Sequence, residues 1–121
     1  MSEYSVEGGT LVRDPRASAG ARNIVKVLEL GAVSADDTID FSIAGCYTLT
    51  GSGEFALAVA DLYPGQTGRI HILSAAAAPT LTFTGVNAWV TTAPTFTNSK
   101  LTIVTLYNDG TRIIGEFVVA A

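Results

Sequence analysis

A single cysteine, a single histidine and few charged side chains leave this chain short of the groups that most protein chemistry uses. One cysteine excludes an intramolecular disulfide. Cys46 stands between Gly45 and Tyr47 with no His or second Cys nearby, so it reads as a small buried hydrophobe, not a catalytic thiol. Metal sites need several His, Cys or carboxylate ligands converging, and the spacing here supplies none. His71 lies between Ile70 and Ile72 and therefore points opposite to them, toward a surface or an interface. Asp36, Asp37 and Asp40 form the densest acidic cluster. Calcium would ask for more oxygen ligands on a tight Gly-containing loop, so a solvated turn is expected. There is no nucleophile–base pair and no phosphate-cradling Gly loop before a helix, so neither an enzyme nor a cofactor is expected.

Basic clusters are missing too. The formal net charge is −4, and without a stripe of Lys and Arg nucleic acid is not an expected partner. Apolar runs such as Ala75 to Pro79 are far too short to span a bilayer, so no membrane partner is expected either. Met1 to Ser5 shows no basic segment leading into an apolar one, which predicts a soluble product made in the cytoplasm.

The chain does have abundant apolar residues, 48%, against 15% charged, where soluble domains usually carry roughly 25%. Residues 1–40 hold eleven of the eighteen charges; from Glu54 onward only Glu54, Asp61, Arg69, Lys100, Asp109, Arg112 and Glu116 remain. Depletion of charge is the compositional mark of interface centres, so part of the body is expected to be covered by other copies or by a larger assembly. The size predicts one domain. Residues 1–22, broken by Gly8-Gly9, Asp14-Pro15 and Ser18-Ala19-Gly20, cannot build a core and read as an arm; residues 23–121 form the body.

Strand signals fill that body. Asn23–Leu30 is rich in β-branched residues. Thr38–Ile43 alternates with Ile39, Phe41 and Ile43 on one side, and Glu54–Ala60 with Phe55, Leu57 and Val59. Alanine favours helix, but a helix would scatter those three positions around its axis. Gly51-Ser52-Gly53 reads as a hairpin turn, and Tyr63-Pro64-Gly65-Gln66-Thr67-Gly68 as a turn into the strand Arg69–Leu73. Thr80–Thr84 places Leu81 and Phe83 inward, and short strands flank Ala93-Pro94. Leu101–Tyr107 and Thr111–Val119 form a hairpin closed at Asn108-Asp109-Gly110. About eight strands with regular turns predict an all-β sandwich or barrel. The last hairpin is apolar on both faces, with Ile103, Tyr107, Ile113 and Phe117 expected on one and Val104, Leu106, Ile114 and Val118 on the other. The second set is the expected subunit interface, because a sandwich's outer face should be wet.

The order of Pro64–Gly68, Thr80–Phe83, Trp89 and the Asn108-Asp109-Gly110 hairpin resembles the small jelly-roll domains of tailed-bacteriophage virion proteins, over Tyr63 to Val119. The resemblance implies a single jelly-roll β-sandwich of about eight antiparallel strands, a homotrimer and no catalytic residues. That family includes capsid decoration (cement) proteins and the heads of fibres. With about 22 residues before the first strand, the resemblance favours a decoration protein on the phage head, bridging capsomers of the major capsid protein. Leu11, Val12, Arg13, Arg16 and Arg22 would be its capsid-contacting arm. The alternative is a receptor- or glycan-binding fibre head, for which Trp89 and Tyr63 would be the sugar platform; a core or interface Trp89, flanked by Val86 and Val90, weighs against it.

Overall fold

The structure is a computed structural model and describes residues 4–7, 10–13 and 26–120. Among these residues the regular structure is entirely strand: β1 (Tyr4–Glu7), β2 (Thr10–Arg13), β3 (Val27–Val33), β4 (Asp37–Asp40), β5 (Cys46–Gly51), β6 (Glu54–Ala60), β7 (Thr67–Ser74), β8 (Thr80–Thr84), β9 (Ala88–Trp89), β10 (Leu101–Asn108) and β11 (Ile113–Val119). β1 and β2 pair antiparallel as a sheet of their own.

The rest of the chain winds. β3, β5 and β7 lie side by side and parallel in one sheet, and β4, β6 and β8 do the same in the other. Each pass of the chain adds one strand to each sheet, so three coils stack as a short solenoid in which every coil rests on the one before. β10 then folds back antiparallel on β7, β11 antiparallel on β10, and β9 joins β11 in parallel. The outcome is a six-stranded sheet, β3-β5-β7-β10-β11-β9, over a three-stranded one, β4-β6-β8.

The chain is therefore all-β, as alternation predicted, but the expected arrangement of antiparallel strands is corrected. Five of the eight pairings between these strands are parallel, whereas a jelly roll is built from antiparallel ones. Alternation reports which face is buried and is blind to the direction of the neighbouring strand. Direction follows from the connections. Gly51-Ser52-Gly53, expected as a hairpin turn, instead carries the chain from β5 in one sheet to β6 in the other. Thr38–Ile43 is also shorter than expected: β4 stops at Asp40, Phe41 still points inward, and Ile43 sits in a turn, 51% exposed. Of Asn23–Leu30, residues 23–25 lie outside the described residues, Lys26 precedes the strand and Val27 opens β3.

The core lies between the two sheets. Ile39, Phe41, Leu57, Ile70, Ile72, Val104 and Leu106 are completely buried. Each such side chain removed from water contributes about 1.5–3 kcal/mol. Leu106 stands between Gly68 and Gly115 in one cross-strand row. The Phe41 ring packs on Gly68 and the Trp89 ring on Gly115, so closely that a Cβ at either glycine would overlap the ring. Phe41 meets Tyr47 edge-on at 5.8 Å, and Trp89 meets Phe83 at 5.5 Å, a geometry that aligns ring edges with ring faces.

One corner ties the coils to the closing hairpin. Pro64-Gly65 forms the expected turn, with Gly65 at φ 84°. The buried Gln66 side chain accepts from the Tyr63 N–H (2.9 Å) and donates to the Phe41 carbonyl (3.1 Å). Asn108 donates its side-chain N–H to the Leu62 carbonyl (2.7 Å), and its own carbonyl accepts from the Gly65 N–H (2.7 Å). Buried polar groups at a corner are tolerated only when paired in this way.

Candidate functional site

Register defines what the six-stranded sheet shows to the outside. Residues paired across strands share a face, so Thr48, His71, Ile103 and Val118 form one outward row with Glu29 at its end. A second outward row runs Cys46, Arg69, Thr105, Glu116. Thr67, Tyr107 and Ile114 lie beyond it, and Thr50, Leu73 and Leu101 on the opposite side. Burial agrees with this reading, because the intervening residues Ile70, Ile72, Val104 and Leu106 are fully enclosed.

The outward face exposes large apolar side chains on β7, β10 and β11 among its polar ones. Leu73 and Tyr107 are each 44% exposed and Val118 is 61% exposed. Two shallow depressions mark it. One of about 370 Å³ lies between Glu29, Thr48, Thr50, His71, Leu73 and Leu101. The other, of about 140 Å³, is bordered by Val90, Thr105, Tyr107, Ile114 and Glu116. Exposed apolar area gathered on one face marks interaction sites more often than scattered single side chains do.

The expected interface set is split by this register. Val104 and Leu106 are at 0% exposure, facing the core; Ile114 and Val118 face outward. Their true companions are Ile103 and Tyr107, while Ile113 and Phe117 pack on the core side. The relative phase of the two strands is set by the hairpin's register, which pairs Val104 with Phe117 and Tyr107 with Ile114. Of the expected arm, Leu11, Val12 and Arg13 lie in β2, and Arg16 and Arg22 lie outside the described residues.

Trp89 is half-buried, its ring shared between Phe83, Gly115 and the core. Tyr63 is 44% exposed beside the Pro64-Gly65 turn. The outward row also carries Cys46, half-buried; burial pushes its thiol above the usual range, with the Arg69 charge opposing, so at neutral pH it is a protonated thiol. His71 points outward as expected, beside Thr48 and Ile103.

The acidic cluster closes backbone instead of gathering. Asp36 accepts from the Ala56 N–H (2.8 Å), Asp37 from Thr38 (2.7 Å), and Asp40 from both the N–H (2.9 Å) and the hydroxyl (2.6 Å) of Ser42. Those Ser42 bonds, the hydroxyl first, hold the Asp40 carboxyl below its usual range. Among the described residues, no three His, Cys, Asp or Glu side chains come together to hold a metal ion, and no helix is long and apolar enough to cross a membrane.

No protein-family model matches this chain, no curated protein matches it in sequence, and no solved structure matches it in fold.

Proposed function

We propose that this chain is a structural assembly component, a decoration protein of a tailed-phage capsid that associates with itself and with the major capsid protein. The observation that carries the assembly reading is the outward face of the six-stranded sheet, where Leu73, Tyr107 and Val118 stand exposed around Ile103. An isolated domain gains nothing by leaving such side chains in water, whereas a subunit covers them. The capsid part of the reading rests on the resemblance of Tyr63 to Val119 to phage virion domains. The parallel coils replace the jelly roll in it, since decoration asks for a rigid body with adhesive surfaces and not for one strand order. Sugar binding has less support, because Trp89 is engaged with Phe83 and Gly115.

Cosedimentation with purified capsids tests the proposal. The full chain is expected to pellet with capsids at saturable stoichiometry and to raise their resistance to heat. Failure to bind, together with binding to a glycan surface that Trp89→Ala abolishes, would overturn it in favour of a receptor-binding head.

A further inference from the structure

The arrangement of charge on the outward face points to a specific partner and symmetry. Arg69, Thr105 and Glu116 occupy one row on adjacent strands, with Thr105 of β10 in the middle and opposite charges one strand away on either side. Every outward side chain of β10 on this face, Leu101, Ile103, Thr105 and Tyr107, is uncharged. We propose that the partner of this face is a second copy of the chain, packed sheet to sheet about a twofold axis parallel to β10. The inference rests on the self-association proposed above and gives it a geometry.

Such an axis leaves each row opposite its own copy and exchanges the two sides of β10. Arg69 of one copy then faces Glu116 of the other, and the reverse pair forms by symmetry, as an isologous interface requires. Ile103 and Tyr107 meet their own copies along the axis, and His71 meets Val118. Sheets packed face to face sit about 10 Å apart; the two β10 strands then run parallel on either side of the axis, and sheet twist splays the outer strands, so contact is closest along β10, where Ile103 and Thr105 lie. The competing twofold, perpendicular to the strands and passing along the Arg69 row, would place Arg69 on Arg69 and Glu116 on Glu116. Like charges brought together at an interface oppose association, so the charge pattern selects the first axis over the second. The threefold association implied by the phage resemblance would need a different surface.

Sedimentation equilibrium of the full chain, with charge-swapped variants, decides it. The wild type is expected to be a dimer in reversible exchange with monomer, weakened by high salt. Arg69→Glu and Glu116→Arg, each alone, should weaken dimerisation by about tenfold or more. The double swap R69E/E116R should restore it, since both pairs re-form with reversed polarity; matching thermal melts show that all variants fold. A wild type that is monomeric at every concentration, or trimeric, would overturn the proposal, and so would a double swap no tighter than the single ones. Capsid cosedimentation is a separate readout. A rescued dimer that does not bind capsids overturns the decoration reading and leaves the pairing intact, and a trimer that does bind capsids has the opposite meaning.

Discussion

The two sheets are alike inside and unlike outside. Inward, both present branched and aromatic side chains in register: Phe55 beside Leu81 and Leu57 beside Phe83 in the three-stranded sheet, Ile70 beside Val104 and Tyr47 in the six-stranded one. Outward, the small sheet shows Ala56 beside Thr82 and Ala58 beside Thr84 and Thr38, whereas the large sheet shows Ile103, Tyr107, Ile114 and Val118. The same period-two pattern thus yields one outer face of methyls and hydroxyls and one that exposes larger apolar side chains. The difference lies in which residues fill the outward positions, not in backbone geometry.

The strongest way to break the likeness inside is to hollow each sheet's inner face in turn. Leu57→Ala and Leu106→Ala, both at completely buried positions, are each expected to cost about 3 kcal/mol, within the range of buried leucine truncations. Urea denaturation at low protein concentration checks this. Equal losses would show that both sheets contribute to one cooperative core, while a loss confined to Leu106 would mean that the small sheet frays separately.

The unlikeness outside is sharpened by placing one charge on each face. Tyr107→Asp, at a position 44% exposed, should leave unfolding stability within about 0.5 kcal/mol, as exposed substitutions usually do, yet reduce self-association by about tenfold or more, because this position meets its own copy and two like charges are brought together. Thr82→Asp, on the exposed outer side of β8, should alter neither. Association that falls equally in both variants would remove the distinction between the faces.

Much of this was legible in the sequence, and what was missed has a physical cause. The spans Glu54–Ala60 and Thr80–Thr84, the turn at Pro64-Gly65 and the hairpin around Asn108-Asp109-Gly110 follow from alternation and turn chemistry alone. The parallel coiling does not, because Leu28 beside Tyr47 and Tyr47 beside Ile70 alternate as they would in an antiparallel pair. A signal was present all the same. Three times, an alternating strand is followed by a short connection and another alternating strand: Val27–Asp40, Cys46–Ala60 and Thr67–Thr84. An internal repeat of that length is the mark of stacked coils. The bulge at Leu30–Gly31 obscures it by shifting the register within β3, with Gly31 at φ 73°. Along the last hairpin, the expected set divides: Ile114 and Val118 face outward, Val104 and Leu106 inward. This division is hidden from the sequence because the phase between paired strands depends on where the turn ends, and Asn108 pairs with Ile113 across a loop of four residues, 109–112.

The smallest expected effect compares the carboxylates that hold one turn beside each sheet. At the tip of the β10–β11 hairpin, Asp109 accepts from the N–H groups of Thr111 and Arg112, both at 2.9 Å, with the Arg112 guanidinium at 3.3 Å. Next to the small sheet, Asp40 accepts from Ser42. Both carboxyls are held below the ordinary aspartate value of 3.8, Asp109 chiefly by the Thr111 N–H and then that of Arg112, Asp40 by Ser42. A carboxyl whose pKa is lower in the folded chain than in the unfolded one stabilises the fold fully above the unfolded value, and that contribution is lost as pH falls through the folded value. Stability should therefore decline below about pH 4, and Asp109→Asn, whose amide oxygen can still accept the backbone N–H groups, should flatten part of that decline without changing the neutral-pH melting temperature by more than about 2 °C. Asp40→Asn should flatten another part, additively if the two turns are independent. Thermal melts from pH 3 to pH 7 measure both. Because each carboxyl is solvent-facing, screening keeps the effects small, and an acid-induced loss left unchanged in the double variant would place the acid sensitivity elsewhere than at these two turns.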